Sequence, residues 1–325
     1  MTGPKVSVLM PAFNCEQHIG EAIDSILHQS FEDFELLVVD DHSTDSTSSI
    51  IREYRNGDAR IRSVLNAEGK GIVGALNTGL GSARGEYIAR MDADDISLPD
   101  RLRKQYDFLE AHRDIAVCGA NMELFGAQQF VWRLPQNHEA IRAGLIFTVF
   151  IAHATVMIRS AVFGDQEYRY DPNYAFAEDY ELWSRLSERH RFANLPDVLY
   201  RYRKHAATNE LSLREVTRSD SAQRVRLRLL NALGIVPTPE ESDLHRQIGD
   251  YCYTPSTSLV GRANRWFDKI LEANRRTGVF DDAALRVHIE ERRAEIRGAV
   301  PAAVTGIRGL AQSISDLSHR ILRNS

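Results

Sequence analysis

Three carboxylates in four residues, Asp92, Asp94 and Asp95 of Met91-Asp92-Ala93-Asp94-Asp95, come straight after Gly85-Glu86-Tyr87-Ile88-Ala89-Arg90, which reads as a strand. Like charges this close raise one another's pKa unless a cation is shared among them, so the stretch calls for a divalent metal, a set of basic side chains or full solvation. Asp92 and Asp94 lie two apart at an expected strand end, where alternate side chains share a face. Their oxygens suit a hard ion such as Mg2+ or Mn2+, which keeps open positions for phosphate oxygens. A calcium loop of the EF-hand type is excluded, because Ile96 and Arg103 stand where it needs an oxygen ligand and a bidentate glutamate. Capping the helix expected near Pro99 would take one acid, not three.

Two further acidic pairs and one glycine cluster have chemical spacing. Asp40-Asp41 closes an expected second strand ahead of His42-Ser43-Thr44-Asp45. Ser43 or Asp45 can cap the helix that follows, which leaves Asp41 free to accept a hydrogen bond from a ligand, for instance a base N–H. Glu178-Asp179 opens a helix whose Leu182, Trp183 and Leu186 form a buried face. Acids are favoured in a first turn, so this pair has a catalytic meaning only in company. Gly69-Lys70-Gly71-Ile72-Val73-Gly74 has the G-x-G-x-x-G spacing between a strand and a helix. That fingerprint belongs to the first strand of its unit, with one acid ending the next. Here it follows the third strand and precedes three acids, so it reads as a flexible loop near a nucleotide, with Lys70 a phosphate or base contact. A nicotinamide-dependent oxidoreductase built on those glycines would leave Asp92, Asp94 and Asp179 without a role. A receiver-like module built on Leu37-Val38-Val39-Asp40-Asp41 would need the acidic pair after the first strand.

The elements that must position these residues follow from periodicity. Apolar runs at 6–10, 34–39, 61–65 and 87–91 read as buried strands, and helical spacing covers 19–27, 43–54, 75–83 and 99–111. Strands alternating with helices of this length imply a parallel sheet flanked by helices. Ligands bind beyond the carboxyl ends of such strands, which is where Pro11-Ala12-Phe13-Asn14, Asp40-Asp41 and Asp92-Ala93-Asp94-Asp95 lie. Further strands are expected near 116–125, 154–158 and 198–202, with helices at 138–147 and 179–189. Beyond His205 the β pattern stops and helices follow, for example with Val225, Leu229, Ala232 and Leu233 on one face, so a boundary falls near 205–210. The last helix repeats Ile307, Leu310, Ile314, Leu317 and Ile321 in an a/d pattern flanked by Arg308, Arg320 and Arg323. It suits packing on the body, a homodimer seam or a membrane-surface helix.

The 325 residues, 43% hydrophobic, are enough for a full core and for one large domain plus an extension, or two domains. A net charge of -5 carries no footprint for nucleic acid, so an anionic ligand must be held locally. Three distant cysteines without metal-ligand spacing read as reduced thiols. No charged-then-apolar leader and no uncharged apolar run long enough to span a bilayer stands out, so a cytoplasmic protein is expected, with contact to the membrane's inner face an added reading.

Taken together, in colinear order over about residues 5–205, these motifs resemble family 2 glycosyltransferases. The resemblance rests on Val8 to Asn14, Val38 to Asp45, Asn77-Thr78-Gly79, Gly85 to Asp95, Pro99 to Leu102, Ala177 to Trp183 and Tyr202 to His205. It implies an α/β fold of the GT-A nucleotide-sugar-binding type, a mostly parallel central sheet flanked by helices, as a catalytic domain over 1–207. An α-helical C-terminal region would cover 208–325. It implies inverting, metal-dependent transfer of a sugar from a nucleotide-sugar donor, with uridine the expected nucleoside, to a saccharide or lipid-linked saccharide in polysaccharide assembly. Asp92-Ala93-Asp94 becomes the D-x-D motif, with Asp94 the main ligand of Mn2+ or Mg2+ and Asp92 on the ribose or a metal-bound water. Asp41 would hold the base, with Asp40 beside it, Pro11 and Ala12 beneath, and Asn14 and Ala93 also on the nucleotide. Asp179 would be the catalytic base, supported by Glu178. His205 would contact phosphate, a loop or the metal, and for both His153 and His205 a structural role stands beside the functional one. His42 departs from the family, which usually has glycine there.

Overall fold

A computed structural model describes residues 3–127, 129–164, 168–204, 209–253 and 256–298. By its internal contacts the chain divides into two units. The first holds Met1–Leu134, Ile151–Asn173 and Arg185–His205; the second holds Pro135–Phe150, Tyr174–Ser184 and Ala206–Ser325. The second unit therefore includes two segments from within the range expected to be one catalytic domain.

The first unit is built on a nine-stranded sheet. Strands β1 (Val6–Ala12), β2 (Phe34–Asp40), β3 (Ile61–Leu65) and β4 (Tyr87–Arg90) run parallel in the order β3-β2-β1-β4. Every residue of β1, β2 and β4 is buried, the signature of a parallel sheet covered on both faces, and this is why they read as mostly apolar runs. Helices α1 (Ile19–Leu27), α2 (Thr47–Gly57), α3 (Ile72–Ser82) and α4 (Arg101–Ala111) lie between or after them. The sheet continues through β5 (Ile96–Ser97), β6 (Ile115–Gly126), β7 (Phe130–Trp132), β8 (Met157–Arg159) and β9 (Arg191–Lys204) in the order β4-β8-β6-β9-β5, with β7 also on β6. Here β8 is antiparallel to both neighbours and β6–β9 is parallel.

Three expectations differ in detail. The strand expected at 198–202 begins at Arg191 and crosses Pro196-Asp197 through a register shift, since Ala120 pairs with Leu195 and Asn121 with Val198. A bulge is where a strand tolerates proline, and Asn121 caps it by donating to the Pro196 carbonyl at 2.7 Å. The strand expected from Ala154 starts at Met157, after a short 3-10 turn over His153–Thr155. Helix α2 starts at Thr47 and not Ser43, because residues 43–46 are tied to the β1–α1 loop: the Asn14 N–H donates to Ser43 Oγ, Thr44 N–H to Asn14 Oδ1 and Ser46 N–H to Glu16 Oε2.

The second unit contains α5 (His138–Gly144), residues 178–184 of α6 (Glu178–Leu186), α7 (Asn209–Ala232), α8 (Pro239–Gly249), α9 (Thr257–Thr277) and α10 (Asp282–Ile296). Helix α8 opens on a capping box, Thr238 with Glu241, and Pro239 in its first turn. Val225 and Leu229 along α7 and Leu233 just past its end are buried as their spacing implies, whereas Ala232 is exposed. The a/d repeat at 307–321 and His205 lie outside the described residues. No helix among the described residues is long and apolar enough to cross a membrane.

Candidate active site

The parallel registers align the ends of three strands: Ala12 faces Asp40, and Asp40 faces Leu65. The next backbone bonds continue the alignment, Asp41 N–H to Ala12 O at 2.8 Å, Asn66 N–H to Asp40 O at 2.9 Å and Met91 N–H to Leu9 O at 3.0 Å. Pro11, Ala12, Asn14, Asp40, Asp41 and the Asp92 turn are thus gathered at the carboxyl end of one sheet. Pro11 lies past the last β1–β4 pair, Leu9 with Arg90, so its missing N–H removes no ladder bond there.

Asp40 is occupied locally. Its Oδ1 accepts from Ser43 N–H at 2.9 Å and its Oδ2 from the Ser48 hydroxyl, which anchors the start of α2. Asn14, at a left-handed φ of 45°, directs its side-chain carbonyl to Thr44 N–H at 2.8 Å.

Asp41 is not free, as the sequence suggests, but has a protein partner on each oxygen. Oδ1 accepts from Asn66 Nδ2 at 2.6 Å and Oδ2 from Gly71 N–H at 2.7 Å, and the residue is 8% exposed. Each carboxylate oxygen can accept twice, so capacity for a base N–H remains. Asn66 is the hub of this turn. Its amide also donates to Gly69 O at 2.6 Å, and its carbonyl oxygen accepts from Thr78 Oγ1 at 3.0 Å and Glu68 N–H at 3.1 Å. His42 closes the turn from the other side by donating Nε2–H to Asn66 O at 3.1 Å, from a φ of 61° that glycine would adopt without strain.

The glycine cluster is therefore a fold of chain around Asn66 and not a loose loop. Gly69 and Gly71 have φ of 90° and 101°, and a Cβ at Gly74 would meet Gly69 O at 1.8 Å. The Gly71 N–H that a phosphate cradle would offer points at Asp41. Lys70 is exposed at the tip.

The Asp92–Asp95 turn is surrounded by arginines. Arg90, 6% exposed, pairs its Nη1 with Asp92 Oδ2. Arg101, fully buried, donates to Arg90 O at 2.6 Å, stacks over the Tyr200 ring, and is pushed down to about 10 chiefly by burial. Arg203 donates its N–H to Asp95 Oδ1 at 2.7 Å and its Nε to Asp94 O at 2.8 Å. Tyr200 Oη accepts from Asp92 N–H at 3.1 Å.

These contacts sort the three acids. Asp95 is 1% exposed, and burial beside Asp92 and Asp94 holds it well above the usual carboxylate range; it shapes the turn. Asp92 is raised by burial and by Asp94, against the pull of Arg90. Burial alone would lower Arg90, but Asp92 and the phenols of Tyr200 and Tyr170 raise it, so the guanidinium stays charged. Asp94 is partly exposed. No group of three His, Cys, Asp or Glu side chains is arranged to hold a metal ion among the described residues. Asp92 and Asp94 nevertheless offer the hard oxygen donors that Mg2+ or Mn2+ takes, one or two carboxylates being usual when phosphates complete the shell. The residues fit a cation that arrives with a diphosphate.

His153 bonds the Tyr170 hydroxyl through Nε2 at 2.8 Å, and burial, with Arg90 nearby, holds it well below its ordinary pKa and so neutral. Arg90, Arg203, Tyr200 and Asn66 are the contributors that sequence reasoning misses. Arg90 left a signal, a charge at the end of an otherwise apolar strand, and Arg203 stands within Tyr202 to His205, one of the stretches that carry the resemblance.

Glu178 and Asp179 belong to the second unit. Phe176, at φ 61°, turns the chain into α6. Asp179 is half-buried and accepts Tyr180 N–H on Oδ1 at 2.7 Å; Glu178 is 8% exposed.

The family model for glycosyl transferase family 2 matches residues 7–166. An uncharacterized glycosyltransferase of Haemophilus influenzae is 36% identical over 62% of this chain and 66% of its own length, just under two thirds. The putative glycosyltransferase EpsE of Bacillus subtilis is 39% identical over 62% of this chain and 74% of its own. WfgD of Escherichia coli, a UDP-Glc:alpha-D-GlcNAc-diphosphoundecaprenol beta-1,3-glucosyltransferase, is 31% identical over 55% and 68%. Among solved structures, Staphylococcus aureus TarS 1-349 with UDP-GlcNAc superposes with a TM-score of 0.59 at 18% identity, covering 91% of each chain. The mannosyltransferase PcManGT of Pyrobaculum calidifontis, with GDP-Man and Mn2+, gives 0.57 at 17% identity over 97% of this chain and 87% of its own. The fold is that of the GT-A glycosyltransferases.

Proposed function

The chain belongs to glycosyl transferase family 2, and on that premise we propose that it moves a hexosyl or N-acetylhexosaminyl group from a uridine diphosphate sugar to a hydroxyl of a saccharide or lipid-linked saccharide, with inversion, in polysaccharide assembly. A nicotinamide enzyme is set aside by that membership and by the glycine turn, whose Gly71 N–H serves Asp41. A cytoplasmic site of action, at the membrane's inner face where the acceptor is lipid-linked, is part of the proposal.

Each residue has a defined task. Asp41, held flat between Asn66 and Gly71, accepts a base N–H on its remaining lone pairs, with Pro11, Ala12 and Asn14 forming the wall beside it. Asp92, paired with Arg90, accepts from the ribose, with Ala93 alongside. Asp94, with Asp92, would hold the divalent cation, which supplies charge neutralisation for the departing diphosphate. Asp179 takes the proton of the acceptor hydroxyl as it attacks the anomeric carbon from the face opposite the leaving group, and one base with one displacement inverts the centre. Glu178 supports it.

The observation that supports this reading best is the gathering of Asp41 and the Asp92–Asp94 pair at the carboxyl ends of β2 and β4, the parallel strands on either side of β1, with Asp92 anchored by a buried arginine. The test is hydrolysis in water of UDP-, GDP- and dTDP-linked hexoses, with Mn2+ or with chelator. Metal-dependent release of one nucleoside diphosphate is expected; binding without turnover would mean a sugar-nucleotide binder, and no binding would reject the reading.

A further inference from the structure

The acid most deeply buried in the first turn of α6 is neither of the two assigned to chemistry. It is Glu181, 2% exposed, two residues past Asp179 and three past Glu178. A carboxylate that deep needs a partner, and Arg228 of α7 supplies it, with Nη1 on Glu181 Oε1 at 2.9 Å. The same guanidinium places Nη2 on the Glu181 backbone carbonyl at 3.3 Å and on the Ser184 hydroxyl. One planar fork thus grips side chain and backbone of a single helical turn, a geometry that a lysine cannot reproduce.

The residue between Asp179 and Glu181 is anchored as well. Tyr180, 2% exposed, donates its hydroxyl to Leu145 O. Two residues on, Phe147 O accepts from Arg226 Nε at 2.7 Å, and Arg226 Nη2 pairs with Asp250 Oδ1 at 2.6 Å. Arg226 and Arg228 both belong to α7, so one helix secures α6 directly and also secures the segment that holds Tyr180.

We propose that Arg228 is a positioning residue for glycosyl transfer: it fixes the rotation of α6, and with it the place of the Asp179 carboxylate, without touching substrate. This rests on the reading of Asp179 as the base. A helix with its side chains is about 10–12 Å across, so a rotation of roughly 10° carries a carboxylate by about 1 Å. A displacement of that size can cost about a hundredfold in rate. The helices after residue 208 are on this account part of the catalytic apparatus.

The experiment measures turnover of whichever sugar nucleotide the full chain hydrolyses with Mn2+, together with nucleoside diphosphate affinity, in Asp179→Asn, Arg228→Ala, Arg228→Lys, Glu181→Gln and Arg246→Ala. Arg228→Ala is expected to lower kcat by about 30- to 100-fold while donor KM and nucleotide Kd stay within about twofold. Arg228→Lys should recover only part of the loss, and added guanidinium ion should raise the rate of Arg228→Ala alone. Arg246→Ala, which removes an exposed pair with Asp243, should match wild type. If Arg228→Ala does not fold, the kcat-only loss must appear in Glu181→Gln and Arg228→Lys. Wild-type kcat in these variants, or kcat and nucleotide affinity falling together, overturns the inference while an inactive Asp179→Asn keeps the base assignment. An active Asp179→Asn removes the base assignment itself, and this inference with it.

Discussion

The acids of the first unit and those of the second are held in different ways. At the sheet end, Asp40, Asp41 and Asp95 each accept a backbone N–H, from Ser43, Gly71 and Arg203, and Asp92 leans on Arg90 two residues earlier. On α6, Asp179 accepts the Tyr180 N–H, and Glu181 is gripped by a side chain 47 residues away, Arg228. The first arrangement builds a rigid receptor out of strand ends and turns, suited to a ligand of fixed shape. The second makes the orientation of a helix depend on a distant part of the chain, which suits a group that must be aimed.

If that division is right, the largest effect belongs to the aimed group. Asp179→Asn should lower kcat by about 10²- to 10⁴-fold, the range for loss of a general base, with nucleoside diphosphate affinity kept; calorimetric titration beside the rate assay checks both. A variant that lost affinity as well would merge the two regions. Next comes the receptor. Arg90→Ala leaves Asp92 beside Asp94 and Asp95 without its cation, and unfolding should become easier by about 3 kcal/mol, the low end for breaking a buried pair because Asp92 keeps 25% of its side-chain surface exposed. Denaturant melts would show it, and a loss below about 1 kcal/mol would mean the pair acts as a surface pair.

Acid sharpens the comparison, because each unit buries a neutral imidazole. In the second unit His245 Nδ1 accepts from Trp266 Nε1–H at 3.0 Å and its Nε2–H donates to Ile146 O at 2.9 Å, so the ring cannot take a proton without losing the tryptophan bond. Burial, with Arg226 nearby, pushes it down to about 3. Its folded pKa lies below the unfolded one, so the unfolded chain binds the proton first. The contribution is whole above about pH 6.5 and is lost as pH falls, by about 2 kcal/mol at pH 5. His245→Gln should remove that share of the slope, and an unchanged slope would show that the ring is protonated in the fold. The smallest effect is local: Thr238→Ala should cost about 1 kcal/mol through the α8 capping box, with no change in nucleotide affinity.

What could be read from the sequence follows the same division. Strands β1, β2 and β4 are legible because burial on both faces makes each a mostly apolar run, and β2 and β4 lead into acids. The family resemblance rests on those acids for the same reason. Less legible is anything that depends on distant partners. Asp41 looks unpartnered because Asn66 and Gly71, which each donate to one of its oxygens, lie 25 and 30 residues on. Pro196-Asp197 looks like a break because only pairing with β6 turns it into a bulge. Glu181 looks like a routine first-turn acid, since nothing in its neighbourhood points to Arg228.

The central claim is that nucleotide and metal are held by the strand-end acids and that Asp179 acts only in the reaction. The most direct test is thermal unfolding of the full chain with UDP, GDP or dTDP, each with Mn2+, Mg2+ or chelator, in wild type, Asp94→Ala and Asp179→Asn. One nucleotide at about a hundred times its Kd should stabilise wild type and Asp179→Asn by about 2.7 kcal/mol, only with metal, and should do nothing for Asp94→Ala. Stabilisation that ignores the chelator, survives in Asp94→Ala or vanishes in Asp179→Asn would contradict the account.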